Sequence, residues 1–178
     1  MGKLLEQLNT GLSEFIKKQK VFFVGTAPDQ GRINVSPKGL DSLRILSPTQ
    51  VVWMNLTGSG NETAAHLLDN DRMTILFTAF EGPPLILRLY GHAKVYHERD
   101  DLFHQHLKLF PATLGARQII LLNIDSVQTS CGFAVPLLDF KEERTQLKTW
   151  SEQKGEDGIK EYWKNRNSIS LDGKDTQI

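Results

Sequence analysis

The sequence predicts a mainly β (α+β) protein, an antiparallel barrel of about six strands with short helices inserted and a helical extension at its C-terminal end. Three observations predict this fold class. Apolar and polar residues alternate over runs of strand length, and the runs arrive as hairpins joined by short turns such as PDQG, SPTQ and EGPP. Charged, helix-prone sequence follows the last of these runs. Because the strands arrive as hairpins, a parallel dinucleotide-binding sheet is disfavoured.

The first elements are a helix and a hairpin. Apolar residues recur at spacings of three and four between Leu4 and Ile16, which predicts an amphipathic helix in spite of Gly11. The period then changes, since VFFVGTA, the turn PDQG and RINVSPK predict a β-hairpin in which Ile33 and Val35 share a face.

A second hairpin and a helix follow. LRIL and VVWMNL, separated by SPTQ, predict two further strands. The last of them runs into the turn GSG and then into NETAAHLLDN, which predicts a helix.

The middle of the chain predicts two long strands with a helix between them. MTILFTAF, the turn EGPP and LILRLYGHAKVY form a hairpin, with curvature expected at Gly91. RDDLFHQHLKLF is a helix ended by Pro111, and RQIILLNIDSVQTS is the final strand. One face of the strand LILRLYGHAKVY is expected to meet the core, and it carries Leu85, Leu87, Leu89, Ala93 and Val95.

The C-terminal sequence predicts a pair of charged helices punctuated by Gly155 and Gly158. Their aromatic residues Trp150, Tyr162 and Trp163 are expected to pack on the barrel. We therefore predict a domain over residues 1–136, including the N-terminal helix. Residues 137–178 are expected to be a helical extension packed on the barrel and not a separate domain.

Composition restricts the classes of partner. Acidic and basic residues balance at 21 each, so no overall field draws the protein to nucleic acid or to an anionic membrane. The single cysteine, Cys131, cannot form an internal disulfide, and this fits a reducing compartment. Neither a signal peptide nor an apolar run of bilayer length is visible. The expectation is a cytoplasmic protein without nucleic-acid or membrane partners.

The sequence offers no catalytic residue and no metal site of its own. His104 and His106 are two apart in a predicted helix and point to different faces, whereas metal-binding pairs on helices sit three or four apart. Nucleophile-elbow, Walker and zinc motifs are missing. Any demanding chemistry would therefore be brought by an organic cofactor.

The stretch GSGNETAAHL has two interpretations. Free N–H groups at the mouth of its helix could hold a phosphate, or Ser59 and Glu62 could form a capping box. Lys38 lies in the turn SPKG at the end of the second strand and could approach the helix start at Asn61. A positive side chain beside free N–H groups makes a better phosphate site than either feature alone.

The order of these features resembles the pyridoxamine 5′-phosphate oxidase-like family of FMN-binding split barrels. The matching text is VFFVGTAPDQGRINVSPKG, VVWMNLTGSGNETAAHLLDNDRMTILF and LILRLYGHAKVY, within roughly residues 10 to 136. The resemblance implies a six-stranded antiparallel split β-barrel, bound FMN, and a homodimer with its flavin sites at the interface. It also implies an FMN-dependent oxidoreductase with a small-molecule substrate and NAD(P)H as a candidate electron donor. The implied FMN contacts are Ser36, Lys38, Met54, Asn55, Asn61, Glu62, Thr63 and Arg88.

Departures from the family pattern limit what carries over. The Arg and Lys that open the helix in authentic oxidases are here Glu62 and Thr63, so phosphate binding would rest on Lys38, on backbone N–H groups and on Arg72 or Arg88. The substrate-binding text of the authentic oxidases is missing, so oxidation of pyridoxamine phosphate is not expected. Two alternatives stay open: a non-catalytic flavin-binding or sensing module, and a split barrel that uses deazaflavin or haem.

Overall fold

The computed structural model describes residues 2–178. Eight strands and four helices are found in this part of the chain. The strands are β1 (Leu4–Leu5), β2 (Phe22–Thr26), β3 (Asn34–Lys38), β4 (Leu43–Ser47), β5 (Gln50–Leu56), β6 (Arg72–Thr78), β7 (Ile86–Tyr96) and β8 (Ala116–Ser130). The helices are α1 (Thr10–Lys18), α2 (Glu62–Asp69), α3 (Asp101–Leu107) and α4 (Gln146–Arg166).

All eight strands belong to one antiparallel sheet with the order β3-β2-β6-β7-β8-β5-β4, and β1 pairs additionally with β8. The predicted hairpins are confirmed, because β2 pairs with β3, β4 with β5 and β6 with β7. The expected number of six strands is too low. Within residues 2–178 the pairing path ends at β3 and β4, so closure of the barrel stays a prediction.

The N-terminal helix is shorter than the apolar spacing predicted. Leu4 and Leu5 form β1 and pair with Gln128 and Val127 of β8. The helix begins only after Asn9, whose side-chain Oδ1 accepts a hydrogen bond from the Leu12 N–H at 2.9 Å. An asparagine cap fixes the start of a helix. The apolar residues before it are consequently free to extend the sheet.

The main core lies against one face of this sheet. Phe22 packs edge-on against Trp53, with ring centroids 6.3 Å apart, and also contacts Phe77. The predicted alternation of β7 is confirmed at Leu87 and Leu89, which are completely buried.

Gly91 lies where the pairing of β7 with β8 is interrupted, and the curvature predicted there stays a prediction. Tyr90 pairs with Ser126 and Gly91 with Ile124, so Asp125 has no partner and marks a β-bulge in β8. A Cβ atom at Gly91 would lie 1.9 Å from the backbone oxygen of Asn123, so only glycine allows the two strands to approach this closely.

The C-terminal helical pair is found as α4, which is interrupted at Gly155 (φ +64°). The indole N–H of Trp163 donates to Thr57 Oγ1 at 2.8 Å, just beyond β5. Trp150 and Tyr162 meet edge to face at 5.0 Å. Across residues 2–178 we find no helix that combines the length and the apolar character needed to cross a bilayer.

Candidate anion and cofactor site

A cavity of about 560 Å³ opens between β3, the end of β5, the start of α2 and the end of α4. Six of the eight sequence-predicted cofactor contacts line it, namely Ser36, Lys38, Asn55, Asn61, Glu62 and Thr63. β3 presents Ser36 and Lys38 on one face because strand residues two apart point the same way. The expected convergence of the SPKG turn with the start of α2 is therefore present.

Met54 and Arg88 do not line this cavity. The Met54 side chain is 1% exposed and packs with Phe103 and Phe110 in a second apolar cluster. Arg88 donates to Ser130 Oγ at 3.1 Å, toward the far end of β8. Arg72, the other arginine considered for the phosphate, donates to Asn70 Oδ1 and also lies outside the cavity.

Arg117 is the cavity residue that sequence reasoning missed. It lies at the start of β8, is 3% exposed, and donates through Nη1 to the backbone oxygen of Gly60 at 3.0 Å and to Asn167 Oδ1 at 2.6 Å. The only signal for Arg117 in the sequence was its position directly before the apolar run QIILL. Its role could not be inferred from neighbouring residues, because the turn and the helix end that it contacts lie 57 and 50 residues away along the chain.

Three cations at this cavity lack an acidic partner. Within residues 2–178 neither Lys38 nor Arg117 makes an ion pair, and neither does the exposed Arg166 at the end of α4. Burial, and then the charge of Arg117, lower the pKa of the Lys38 ammonium to about 8. Burial lowers the pKa of the Arg117 guanidinium to about 10. Two partly desolvated positive charges in one cavity favour the binding of an anion.

Buried polar atoms without partners point to the same conclusion. Ser36 Oγ, Asn61 Oδ1 and Arg117 Nε are buried and have no hydrogen-bond partner within the described residues. Buried polar atoms in folded proteins are nearly always satisfied, so three unsatisfied atoms around one cavity indicate a polar ligand. The donors and the charge present therefore fit a phosphate group.

The start of α2 differs from the predicted capping box. Asn61 is the N-terminal cap residue and makes no side-chain capping bond, while Ser59 is exposed. Glu62 accepts from the backbone N–H of Leu171 at 3.0 and 3.1 Å instead of reaching back to the turn. The Glu62 carboxylate is therefore held by a backbone N–H of a distant segment. The first-turn N–H groups of α2 are left without a side-chain acceptor.

Residues 167–176, which we call the C-terminal strap, close one side of the cavity. Asn167 is completely buried, and its Nδ2 donates to the oxygen of Gly58 at 3.1 Å. Its backbone oxygen accepts from Asn61 Nδ2 at 3.1 Å and from Thr176 Oγ1 at 2.6 Å. One residue at the end of α4 thus joins the glycine turn, the start of α2 and the strap.

A metal site is not supported by the described part of the chain. Residues 2–178 contain no group of three or more His, Cys, Asp or Glu side chains arranged to hold an ion. Cys131 is free and exposed.

Known proteins resemble this chain in sequence and in fold. A family model described as pyridoxamine 5′-phosphate oxidase matches residues 8–131. A pyridoxamine 5′-phosphate oxidase family protein, ustO of Aspergillus flavus, is 39% identical over 94% of this chain and 75% of its own length. The crystal structure of HupZ from Group A Streptococcus has a TM-score of 0.57 at 19% identity, over 67% of this chain and 91% of that chain. A Lactobacillus delbrueckii protein, provisionally assigned as a pyridoxamine 5′-phosphate oxidase, has a TM-score of 0.55 at 20% identity, over 69% and 94%.

Proposed function

We propose that this chain, which belongs to the pyridoxamine 5′-phosphate oxidase family, binds FMN and acts as an FMN-dependent oxidoreductase on a small molecule. The observation that carries the proposal is the pair of partly desolvated cations without acidic partners, Lys38 and Arg117, in a cavity that also holds unsatisfied buried polar atoms. A phosphate is the part of FMN that such a cavity would take.

Each group at the cavity has a role in this proposal. Lys38 supplies a positive charge from β3, and the first-turn N–H groups of α2 supply backbone donors. Arg117 supplies the second charge while it holds the glycine turn through Gly60. Because Glu62 is bonded to Leu171, its carboxylate is kept from the phosphate, which it would repel by roughly 1 kcal/mol or more at partly screened distances.

Bound FMN would supply hydride acceptance and donation, which no side chain of this protein supplies. The residues of the chain would bind the phosphate, fix the orientation of the cofactor and limit the access of water. Asn55, which is 2% exposed and whose amide donates to Gln118 Oε1 at 2.8 Å, is one such fixed polar group at the cavity wall. We assign no acid or base to the chemical step.

The absorption spectrum of the freshly purified protein tests the cofactor. The expected result is a flavin spectrum that is lost on reduction by NADPH or NADH and returns in air. A flavin that no donor reduces would identify a non-catalytic binding module. A deazaflavin or haem spectrum would show that one of these cofactors is bound in place of FMN. A colourless protein that does not bind added FMN would contradict the proposal.

The Lys38→Ala variant tests the site itself. We expect a folded protein that purifies with little or no flavin, because one of the two partly desolvated cations of the cavity is lost. The matched control is Lys94→Ala, which removes an exposed lysine from β7 that does not line the cavity. Equal flavin content in the wild type and both variants would remove Lys38 from the site.

We also propose a homodimer, with the flavin sites near the interface. β3 turns Ser36 and Lys38 toward the cavity and leaves Val35 66% exposed, and Ile33, just before the strand, is 77% exposed. An apolar face next to the cofactor cavity fits a surface that a second copy covers.

A further inference from the structure

A second cavity, of about 510 Å³, lies between the end of β7, the start of β8 and the last turns of α4. We propose that it binds a small organic anion with an apolar body, as a site separate from the cavity at Lys38. The proposal does not depend on which cofactor the first cavity holds. The lining residues that carry it are His97, Arg99, Arg117, Lys160, Trp163 and Lys164.

Positive charge prevails at this cavity. Lys160 is paired with Glu98 and Glu156, each at 3.4 Å. Within residues 2–178 the other basic side chains at this cavity have no acidic partner, and they are Arg99, Arg117 and Lys164. The only acidic side chain in the lining, Glu98, is therefore already engaged. The cavity keeps a net positive charge that an anion would neutralise.

His97 brings an unsatisfied buried polar atom to this cavity. The residue is 6% exposed, and its Nδ1 is buried without a hydrogen-bond partner within the described residues. Arg117 lines both cavities, and its unsatisfied Nε is already counted at the first, so His97 Nδ1 is the atom specific to this site. A buried, unsatisfied ring nitrogen at a cavity calls for a ligand that can hydrogen-bond.

His97 contributes a neutral hydrogen-bonding group. Burial, and then the charge of Arg99, lower the pKa of the His97 imidazole to about 4, so the ring is uncharged at neutral pH. Its backbone N–H donates to Asp100 Oδ2 at 2.8 Å, which fixes the segment that carries the ring. The ring nitrogen thus offers a ligand one directed hydrogen bond, while the surrounding cations supply the charge.

Trp163 forms an apolar wall. Its indole N–H is already donated to Thr57, so the ring offers the cavity a surface and not a donor. A volume of about 510 Å³ is within the usual range of small-molecule sites. An anion attached to a flat apolar group, such as an aromatic carboxylate, would use the charge, the ring nitrogen and the wall together.

Benzoate is the probe, and its binding is measured by titration calorimetry on the full chain, with and without saturating FMN. The expected result is one benzoate per chain in both conditions. Lys164→Gln should weaken binding by about three- to fivefold, because it removes one of the unpaired cations. The control Lys154→Gln removes a lysine from the same helix outside the cavity and should change the affinity by less than about twofold. His97→Phe keeps an aromatic ring of similar size but removes the ring nitrogens, and should also weaken binding.

Three results would overturn the proposal: no benzoate binding, binding that Lys164→Gln and His97→Phe both leave unchanged, or binding that saturating FMN abolishes. The last result would mean that the anion had entered the cofactor cavity. Because the titration is also run without FMN, a chain that binds benzoate but no flavin would contradict the proposed function alone.

Discussion

The charge of Lys38 depends on pH in the range where enzymes are usually assayed. Its ammonium lies 5.1 Å from the ring centre of Trp53, and its pKa is lowered to about 8, by burial first and by Arg117 second. In the ligand-free protein Lys38 is therefore mostly protonated at pH 7 and mostly neutral at pH 9. A bound phosphate would favour the protonated form and return the pKa toward its usual value.

FMN affinity should consequently fall as pH rises through 8. If Lys38 stays protonated in the complex, the dissociation constant should increase about tenfold between pH 7 and pH 9. Fluorescence quenching of free FMN, titrated with flavin-free protein across this range, measures the change.

Lys38→Arg is the control for this pH dependence, because a guanidinium keeps its charge at pH 9. We expect the arginine variant to bind FMN with nearly the same affinity at both values. A wild-type affinity that is constant from pH 7 to 9 would show that Lys38 does not sense the phosphate.

At the scale of the elements, Gly91 of β7, beside the bulge in β8, is the most constrained point of the sheet. An alanine Cβ at Gly91 would meet the Asn123 oxygen at 1.9 Å, so one backbone would have to move. Gly91→Ala should lower the free energy of unfolding by at least about 3 kcal/mol. Urea denaturation measures the loss.

Gly25→Ala in β2 is the matched substitution for this test. The nearest atom to its added Cβ is the Thr74 oxygen at 3.8 Å, an ordinary contact. Its effect should stay within about 1 kcal/mol. Equal stability of the two variants would contradict the close approach of β7 and β8.

The junction of α4 with the strap depends on Asn167. Its side chain accepts from Arg117 and donates to Gly58, and both bonds are buried or partly buried. Asn167→Ala would leave the Arg117 guanidinium without that acceptor, at a cost of about 2–3 kcal/mol in unfolding free energy. Thermal unfolding should shift downward by several degrees, and FMN should dissociate faster because the glycine turn is no longer held.

The exposed Asn165 lies two residues earlier and provides the control. Asn165→Ala should change neither the melting temperature nor the rate of flavin release. If Asn167→Ala behaved in the same way, the strap would not support the cavity.

The sequence predicted the elements whose causes are local. Alternation within β7, the three hairpins and the helix after the glycine turn follow from residues a few positions apart, and all of them are found. The N-terminal helix was extended too far because helical spacing at Leu4 and Leu5 cannot reveal a pairing partner more than 120 residues away. Arg117 and the strap were missed for the same reason, since their contacts join distant parts of the chain.

The candidate site was predictable to the extent that it lies within two short motifs. SPKG and the start of α2 were identified from turn and helix-mouth chemistry, and they line one cavity. Met54 and Arg88 were proposed as cofactor contacts in connection with the family resemblance, and they do not line this cavity. A contact between either residue and the cofactor stays a prediction. The predicted capping box is not found because the Glu62 carboxylate instead accepts a hydrogen bond from the backbone N–H of Leu171. Leu171 lies in the C-terminal strap, far outside the residues of the motif.

At the scale of the whole molecule, β3 is an edge strand with an apolar outer face. Exposed apolar edges invite pairing or aggregation unless something covers them. The exposed fractions of Ile33 and Val35, 77% and 66%, are those of residues in open solvent. Their neighbours Ser36 and Lys38 point into the cavity, so a second copy seated on this edge would lie beside the phosphate site.

Val35→Lys tests both the dimer and its link to the cofactor. Placing a charge in an apolar interface should give a monomer by light scattering, where the wild type is expected to be a dimer. Flavin content should fall in the same variant, because the side of the cavity next to β3 would lose its cover.

Leu102→Lys, on α3, removes an exposed leucine elsewhere and should leave mass and flavin content unchanged. A wild-type protein that is monomeric and fully loaded with flavin would show that one chain is sufficient for the site, and the exposed face of β3 would then need another explanation.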